Sequence, residues 1–143
     1  MWNVEQFRSD LKTIVDIDSG SSDIDGVRRV GDFFEEKCKA LGLFTKRYAE
    51  GTQLEAGTHE EGEIDILMVG HMDTVFPQGT VAQRPYTERD GMAYGPGVAD
   101  MKAGLVAALH LTERLKQEHP ELSIRLAFTG DEEVGSLKSR DWL

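Results

Sequence analysis

In the stretch VGHMDTVFP a histidine and an aspartate, His71 and Asp73, stand two positions apart, directly after an apolar run and shortly before a proline. Alternate side chains of an extended segment point the same way, so Asp73 can accept a hydrogen bond from one imidazole nitrogen and leave the other free for a metal. Two further acidic points follow. Asp100 precedes an apolar-periodic run, and Asp131, Glu132 and Glu133 follow a second short apolar run. Imidazole with carboxylates and no thiolate suits zinc, with manganese or cobalt compatible by ligand type. A carboxylate has two oxygens and can bridge a pair of ions, and Asp100 is central enough to do so. If strand geometry persists through Glu132 and Glu133, they point apart: one ligates while the other faces the bound water as general base. A metal lowers the pKa of that water toward about 7 and polarises a carbonyl, so the reaction class is metal-assisted hydrolysis.

These residues converge only if the chain brings them to one place. The run IDILMVG reads as a strand of the kind covered on both faces, and SIRLAFTG as a second buried strand. Between them DMKAGLVAALHLTERLKQ reads as one helix with Asp100 at its N-cap and Leu105, Ala108, Leu109, Leu111 and Leu115 as apolar surface; Pro120 stops it. Strand, helix, strand is a crossover unit, which requires parallel pairing. The helix then starts above the carboxyl ends of both strands, the edge where open parallel sheets place ligands. Five carboxylates and an imidazole at one edge repel unless cations or protons compensate, and a bound metal is the simpler remedy.

The preceding residues supply a scaffold. Val4, Phe7, Leu11, Ile14 and Val15 recur at helical spacing, and the helix closes at the polar stretch DIDSGSSD. Val27, Val30, Phe34, Cys38 and Leu41 repeat the pattern, with Gly42 placed for a left-handed cap. LFTKRYA and residues 52 to 56 read as two strands joined by a turn at Glu50 and Gly51, and HEEGE breaks the chain before the first strand of the crossover. A length of 143 residues fits one domain, with 39% hydrophobic and 29% charged residues, which excludes a disordered chain.

With 16 basic and 26 acidic residues the net charge is −10, which argues against nucleic acid and anionic membranes as partners. No stretch approaches the roughly 20 apolar residues of a membrane span. Cys38, the single cysteine, lies on the buried stripe of its helix and reads as packing. With no internal disulfide possible and a start too polar for a signal peptide, a cytoplasmic location is expected.

GHMDTVFP, YGPGVADMKAG and FTGDEEVGS, in this order and spacing, resemble the metal-site motifs of the M20 family of metallopeptidases, most closely its carboxypeptidase G2-like, glutamate carboxypeptidase branch. GTVAQRPYTERDGMAYGPG is similar to the loop and short hairpin between the first two motifs. The resemblance covers essentially the whole chain. It implies that His71 binds one ion, Asp100 bridges two, Glu133 binds the second, Asp73 orients His71 and Glu132 is the base. It also implies a cis peptide after Asp100. Gly130 departs from the pattern, since many relatives carry proline there, and little chemical consequence is expected.

The implied fold is α/β: three layers, a mostly parallel sheet with helices on both faces, as in a zinc-exopeptidase-like catalytic domain. Residues 1–143 are expected to be its N-terminal portion. The family's third acidic ligand, its C-terminal histidine ligand and the lid domain that makes the homodimer in many relatives have no counterpart within these residues. His110 lies ten positions into the helix, about 15 Å along its axis, His119 follows its far end and His59 sits in a polar turn; none is placed to substitute. With Asp100 shared, each ion has two protein ligands against the usual three, so weak metal binding and little activity are expected of this chain alone.

The implied function is a zinc exopeptidase releasing a C-terminal amino acid such as glutamate from a small peptide or N-acyl substrate. An amino-acid deacylase is the alternative within the family, and a non-catalytic remnant the alternative outside it.

Overall fold

The computed structural model describes residues 2–143. Helix α1 spans Val4–Val15, opened by Asn3, whose side chain accepts from Gln6 N at 3.1 Å. Helix α2 spans Ile24–Ala40 and is opened in the same way by Asp23, which accepts from Gly26 N at 2.9 Å. It stops as expected at Gly42, whose φ of 71° lets Leu43 N reach back to Cys38 O (3.0 Å) and Gly42 N to Lys39 O (2.9 Å). Strands β1 (Phe44–Tyr48) and β2 (Gln53–Gly57) form the expected antiparallel hairpin. Strand β3 (Ile66–His71) is followed by a short helix α3 (Thr80–Gln83) and a small hairpin of β4 (Thr87–Arg89) and β5 (Met92–Tyr94). Helix α4 (Ala103–Glu118) and strand β6 (Ile124–Thr129) complete the crossover.

The sheet order is β1-β2-β6-β3, and β3 pairs with β6 in parallel, in the register Ile66 with Ile124 through His71 with Thr129. The α/β class therefore stands, with a central sheet flanked by helices. Two details differ from the expectation of a mostly parallel, three-layer sheet. The pairings β1-β2 and β2-β6 are antiparallel, because the N-terminal strands are a hairpin and only the helix crossover produces a parallel pair.

The three long helices also pack on the same side, over Leu54, Ala56, Leu126 and Phe128, where Phe34 meets Phe128 edge to face at 5.1 Å. On the opposite side Leu67 and Val69 of β3 are half exposed (52% and 51%), so this strand is not covered on both faces by the described residues. Trp142 and Leu143 approach that surface, lining a shallow depression with Glu55, Ile64, Leu67, Arg125 and Ala127.

Helix α4 starts later than expected. Asp100 is not its N-cap: φ and ψ are −127° and 97° at Asp100, in an irregular turn Val98–Lys102, and regular helix begins at Ala103. Leu111 faces solvent (39% exposed), and Val106, His110 and Thr112 join Leu105 and Leu109 in the interior. Cys38 is fully buried, and burial pushes its thiol up to about 12, which fits a packing role. Gly130 has a steric role, since a Cβ there would lie 2.4 Å from Thr52 O and 2.6 Å from Val27 Cγ1. Among the described residues no helix is long and apolar enough to cross a membrane.

Candidate metal centre

The parallel register decides the site. Because His71 is level with Thr129, the chain leaves β3 and β6 at the same edge, and Met72 N donates to Thr129 O at 2.7 Å. His71 therefore ends one strand where the turn Glu132–Val134 begins after the other. The ligand atoms of His71, Glu132 and Glu133 lie within 4.8 Å of one another. The Nε2 of His71 is 3.0 Å from Asp100 Oδ1 and 3.6 Å from Glu132 Oε2. Asp100 is thus at the site, hydrogen bonded to the imidazole, but outside the tight group of three.

Burial grades outward from the ring. The side chains of Asp73 and His71 are 0% and 7% exposed, whereas those of Glu132 and Asp100 are 54% and 77% exposed. The His71 Nδ1 faces Asp73, 2.9 Å from its carbonyl oxygen and 3.3 Å from Oδ1. The contact of Asp73 with the ring thus involves its backbone as well as its carboxylate. The other carboxylate contacts of Asp73 reach across to the second strand: Oδ1 accepts from Glu132 N (3.1 Å) and Oδ2 from Glu133 N (3.2 Å). The two adjacent glutamates follow a tight turn rather than a continuing strand, so both contribute an oxygen near His71. The expectation that they point apart by strand alternation does not hold.

Asp131 leaves the cluster. Its Oδ2 accepts from Lys138 N at 2.6 Å and its carbonyl from Ser136 N at 2.8 Å, so it organises the following loop. The peptide Asp100–Met101 is cis, as the resemblance implied. His110, His59 and His119 are all elsewhere: His110 bonds Asp10 at 2.8 Å, while His59 and His119 engage Thr58 and Glu121.

Electrostatics match this crowding. Burial opposes protonation of His71, but Asp73 and Asp100 outweigh it and push its pKa up to about 9. Burial raises the Glu133 carboxyl, with Asp100, Asp73 and Glu132 adding to it against the opposing pull of His71. Asp73 is held below the usual carboxylate range, because hydrogen bonds from His71, Ser21 and the two glutamate amides outweigh its burial. The cluster thus holds an excess of negative charge that a proton on His71 only partly offsets. One imidazole nitrogen and several carboxylate oxygens within reach are the donor set of a hard or borderline divalent cation, and the residues present fit zinc.

Two residues were missed in the sequence, one that touches Asp73 and one that ties the turn after Asp100 to the segment following α1. Ser21 Oγ donates to Asp73 Oδ2 at 2.6 Å, from a segment with no signal beyond that of an ordinary turn. Lys102, fully buried, donates from Nζ to Ile17 O at 2.6 Å; burial, against the pull of Asp18 and Asp16, lowers it to about 8. Its position two residues after Asp100, just before the amphipathic helix, was the available hint.

An α/β domain with a histidine and carboxylates gathered at the carboxyl edge of its parallel strands defines a candidate divalent-metal protein of the hydrolase type. The sequence profile of peptidase family M20/M25/M40 matches residues 67–142, and the chain belongs to this family. Among curated relatives it is 36% identical to carboxypeptidase G2 of Pseudomonas sp. (strain RS-16), over 92% of this chain and 33% of that protein. It is also 44% identical to succinyl-diaminopimelate desuccinylase of Methylobacillus flagellatus, over 48% of this chain and 20% of that protein.

In fold it resembles an M20 family metallo-carboxypeptidase from Sulfolobus solfataricus (TM-score 0.78, 20% identity, 95% of this chain and 33% of that chain). Human carnosine dipeptidase 1 is similar too (TM-score 0.75, 22% identity, 93% of this chain and 33% of that chain). The chain spans about a third or less of the length of these four relatives.

Proposed function

We propose that this chain is part of a metal-dependent hydrolase of amide bonds in small peptides or N-acyl amino acids, of the carboxypeptidase type, with C-terminal glutamate as the first substrate to test. The observation that carries it is the gathering of His71, Glu132 and Glu133 around one point, with Asp100 against the same imidazole and Asp73 buried behind it. When bound, zinc supplies electrophilic activation of a water and of the scissile carbonyl. His71 presents Nε2 to the site because Nδ1 is engaged by Asp73. Glu133, the less exposed glutamate, and Asp100 would be the carboxylate ligands, with Asp100 shared if two ions are held. Glu132, more exposed and 3.6 Å from Nε2, is free to take a proton from water and return it to the leaving amine.

The same geometry serves deacylation, and the desuccinylase match favours this as the second reading. The 143 residues by themselves are proposed to bind zinc weakly and turn over little, since few of the ligands are buried enough to be held in place. Zinc titration of the chain, followed by assays of the chain and of any longer form on acyl amino acids and C-terminal glutamyl dipeptides, tests the reading. Substoichiometric zinc and slow turnover are expected of the chain. Tight zinc with rapid turnover removes the weak-site reading, and no difference in zinc binding between the chain and His71→Ala removes the metal centre.

A further inference from the structure

Asp73 is the hub of the centre, and one of its donors comes from outside the acidic cluster. Its two oxygens receive four groups: Glu132 N and the His71 ring on Oδ1, Glu133 N and Ser21 Oγ on Oδ2. The Ser21 contact, at 2.6 Å, is the shortest of them and the only one from a side chain that is neither ligand nor base in the proposed reaction.

Ser21 is held where it is by a strap, residues 16–23, running alongside the segment that follows β3. Thr74 N donates to Ser19 O (2.9 Å), Ser21 N to Thr74 O (3.2 Å), and Ser19 Oγ to Met72 O (2.9 Å). The carboxylate of Asp18 accepts from Gly79 N (2.7 Å) and Val81 N (2.9 Å), and Lys102 Nζ donates to Ile17 O. The approach is close enough to exclude a side chain at Gly20, where a Cβ would lie 2.4 Å from Phe76 O.

We propose that Ser21 is a positioning residue for the metal centre: its hydroxyl sets the plane of the Asp73 carboxylate, and through it the ring of His71 and the turn carrying Glu132 and Glu133. The inference rests on the metal-binding reading above. The physical reason is that the His71 Nδ1 is shared between two acceptors of one residue, the Asp73 carbonyl and Oδ1, so rotation of that carboxylate redirects the ring. A charge-assisted O–H donor on the opposite oxygen opposes the rotation. The deeper partners of a metal ligand commonly govern affinity by factors of about ten or more.

The test compares Ser21→Ala, Ser21→Thr, Ser19→Ala and His71→Ala in the 143-residue chain, by competition for zinc against a chelating dye and by the ring-nitrogen NMR shifts of His71 in the metal-free state. Ser21→Ala is expected to weaken zinc about tenfold and to shift the His71 resonances. Ser21→Thr should restore both, and Ser19→Ala, which loosens the same strap without touching Asp73, should change neither. Zinc affinity and His71 shifts in Ser21→Ala equal to those of the unsubstituted chain overturn the proposal, as does an equal effect of Ser19→Ala. Should His71→Ala bind zinc like the unsubstituted chain, the metal-centre reading fails with it, whereas a loss in His71→Ala but not in Ser21→Ala sinks the Ser21 role alone. If Ser21→Ala does not fold, the Ser21 hydroxyl proton of the unsubstituted chain decides: slow exchange with water and a coupling to Asp73 support the bond, and rapid exchange overturns it.

Discussion

Among the described residues two histidine–aspartate pairs are buried, at opposite ends of the helical layer, and their surroundings differ. At one end His110 donates to Asp10 at 2.8 Å, and Asp10 also accepts from Lys37 at 2.8 Å and Gln6 at 2.9 Å. Burial opposes ionisation of Asp10, but these donors outweigh it and hold the carboxyl below its ordinary value. Charge is balanced there and the donors are spoken for, so the network ties α1, α2 and α4 together.

At the other end the His71–Asp73 pair is surrounded by Asp100, Glu132 and Glu133, with no lysine or arginine ion-paired to it among the described residues. A histidine beside an aspartate is therefore no mark of a site. What separates the two is the surplus of negative charge, left partly open to solvent.

The sharpest way to break this comparison is Asp73→Ala. It leaves Glu132 N, Glu133 N and the Ser21 hydroxyl without their acceptor, and is expected to cost about 5 kcal/mol in denaturant unfolding and to weaken zinc at least about 100-fold. Retained zinc affinity would show that the pair is structural after all, like its counterpart.

Next in size, Asp10→Ala strands His110 and Lys37 and should cost about 3 to 4 kcal/mol, while zinc affinity stays within twofold. A change in zinc binding there would mean that the two pairs communicate.

A third measurement is the stability of the metal-free chain against pH. The folded value of about 9 for His71 lies above the ordinary value of 6.5, so its contribution is complete below pH 6.5 and is lost as pH rises through about 9. The fall is about 3 kcal/mol from a shift of this size, absent in His71→Gln. Zinc must displace the same proton, so binding below pH 9 should release protons, seen as a dependence of the calorimetric heat on buffer ionisation enthalpy.

The smallest effect is expected from Glu132→Gln. A solvent-exposed carboxylate contributes under about 0.5 kcal/mol to folding, and zinc affinity should change less than threefold, whereas Glu133→Gln should weaken zinc about tenfold. Equal losses in the two would mean that base and ligand are not divided between them.

Most of the site was legible because its residues sit at strand ends, and strand ends announce themselves. The apolar runs before His71 and before Asp131 marked β3 and β6, and the helical period between them marked the crossover that makes their ends coincide. Asp131 was misplaced and the two glutamates were mis-aimed for one reason: the strand pattern was carried past Thr129, where β6 ends, into a turn whose φ and ψ no alternation rule governs. Asp100 was assigned to a cap for a similar reason, since hydrophobic periodicity reports where a helix is buried and not where its backbone first becomes regular. The bare side of β3 was unreadable, because an apolar run records what a strand can bury and says nothing of what packs on it.

The sequence by itself determined the acids and the imidazole, the order of elements and the parallel pairing that gathers them, because side-chain period and crossover connectivity are local properties of the chain. Only the tertiary structure decided which aspartate is buried, which glutamates share a point with His71, and that a strap from the first interhelical segment reaches Asp73. Those are contacts between residues 50 or more positions apart, such as Ser21 with Asp73 and Asp73 with Glu132. They depend on distance and burial, quantities that exist only once the chain has closed on itself.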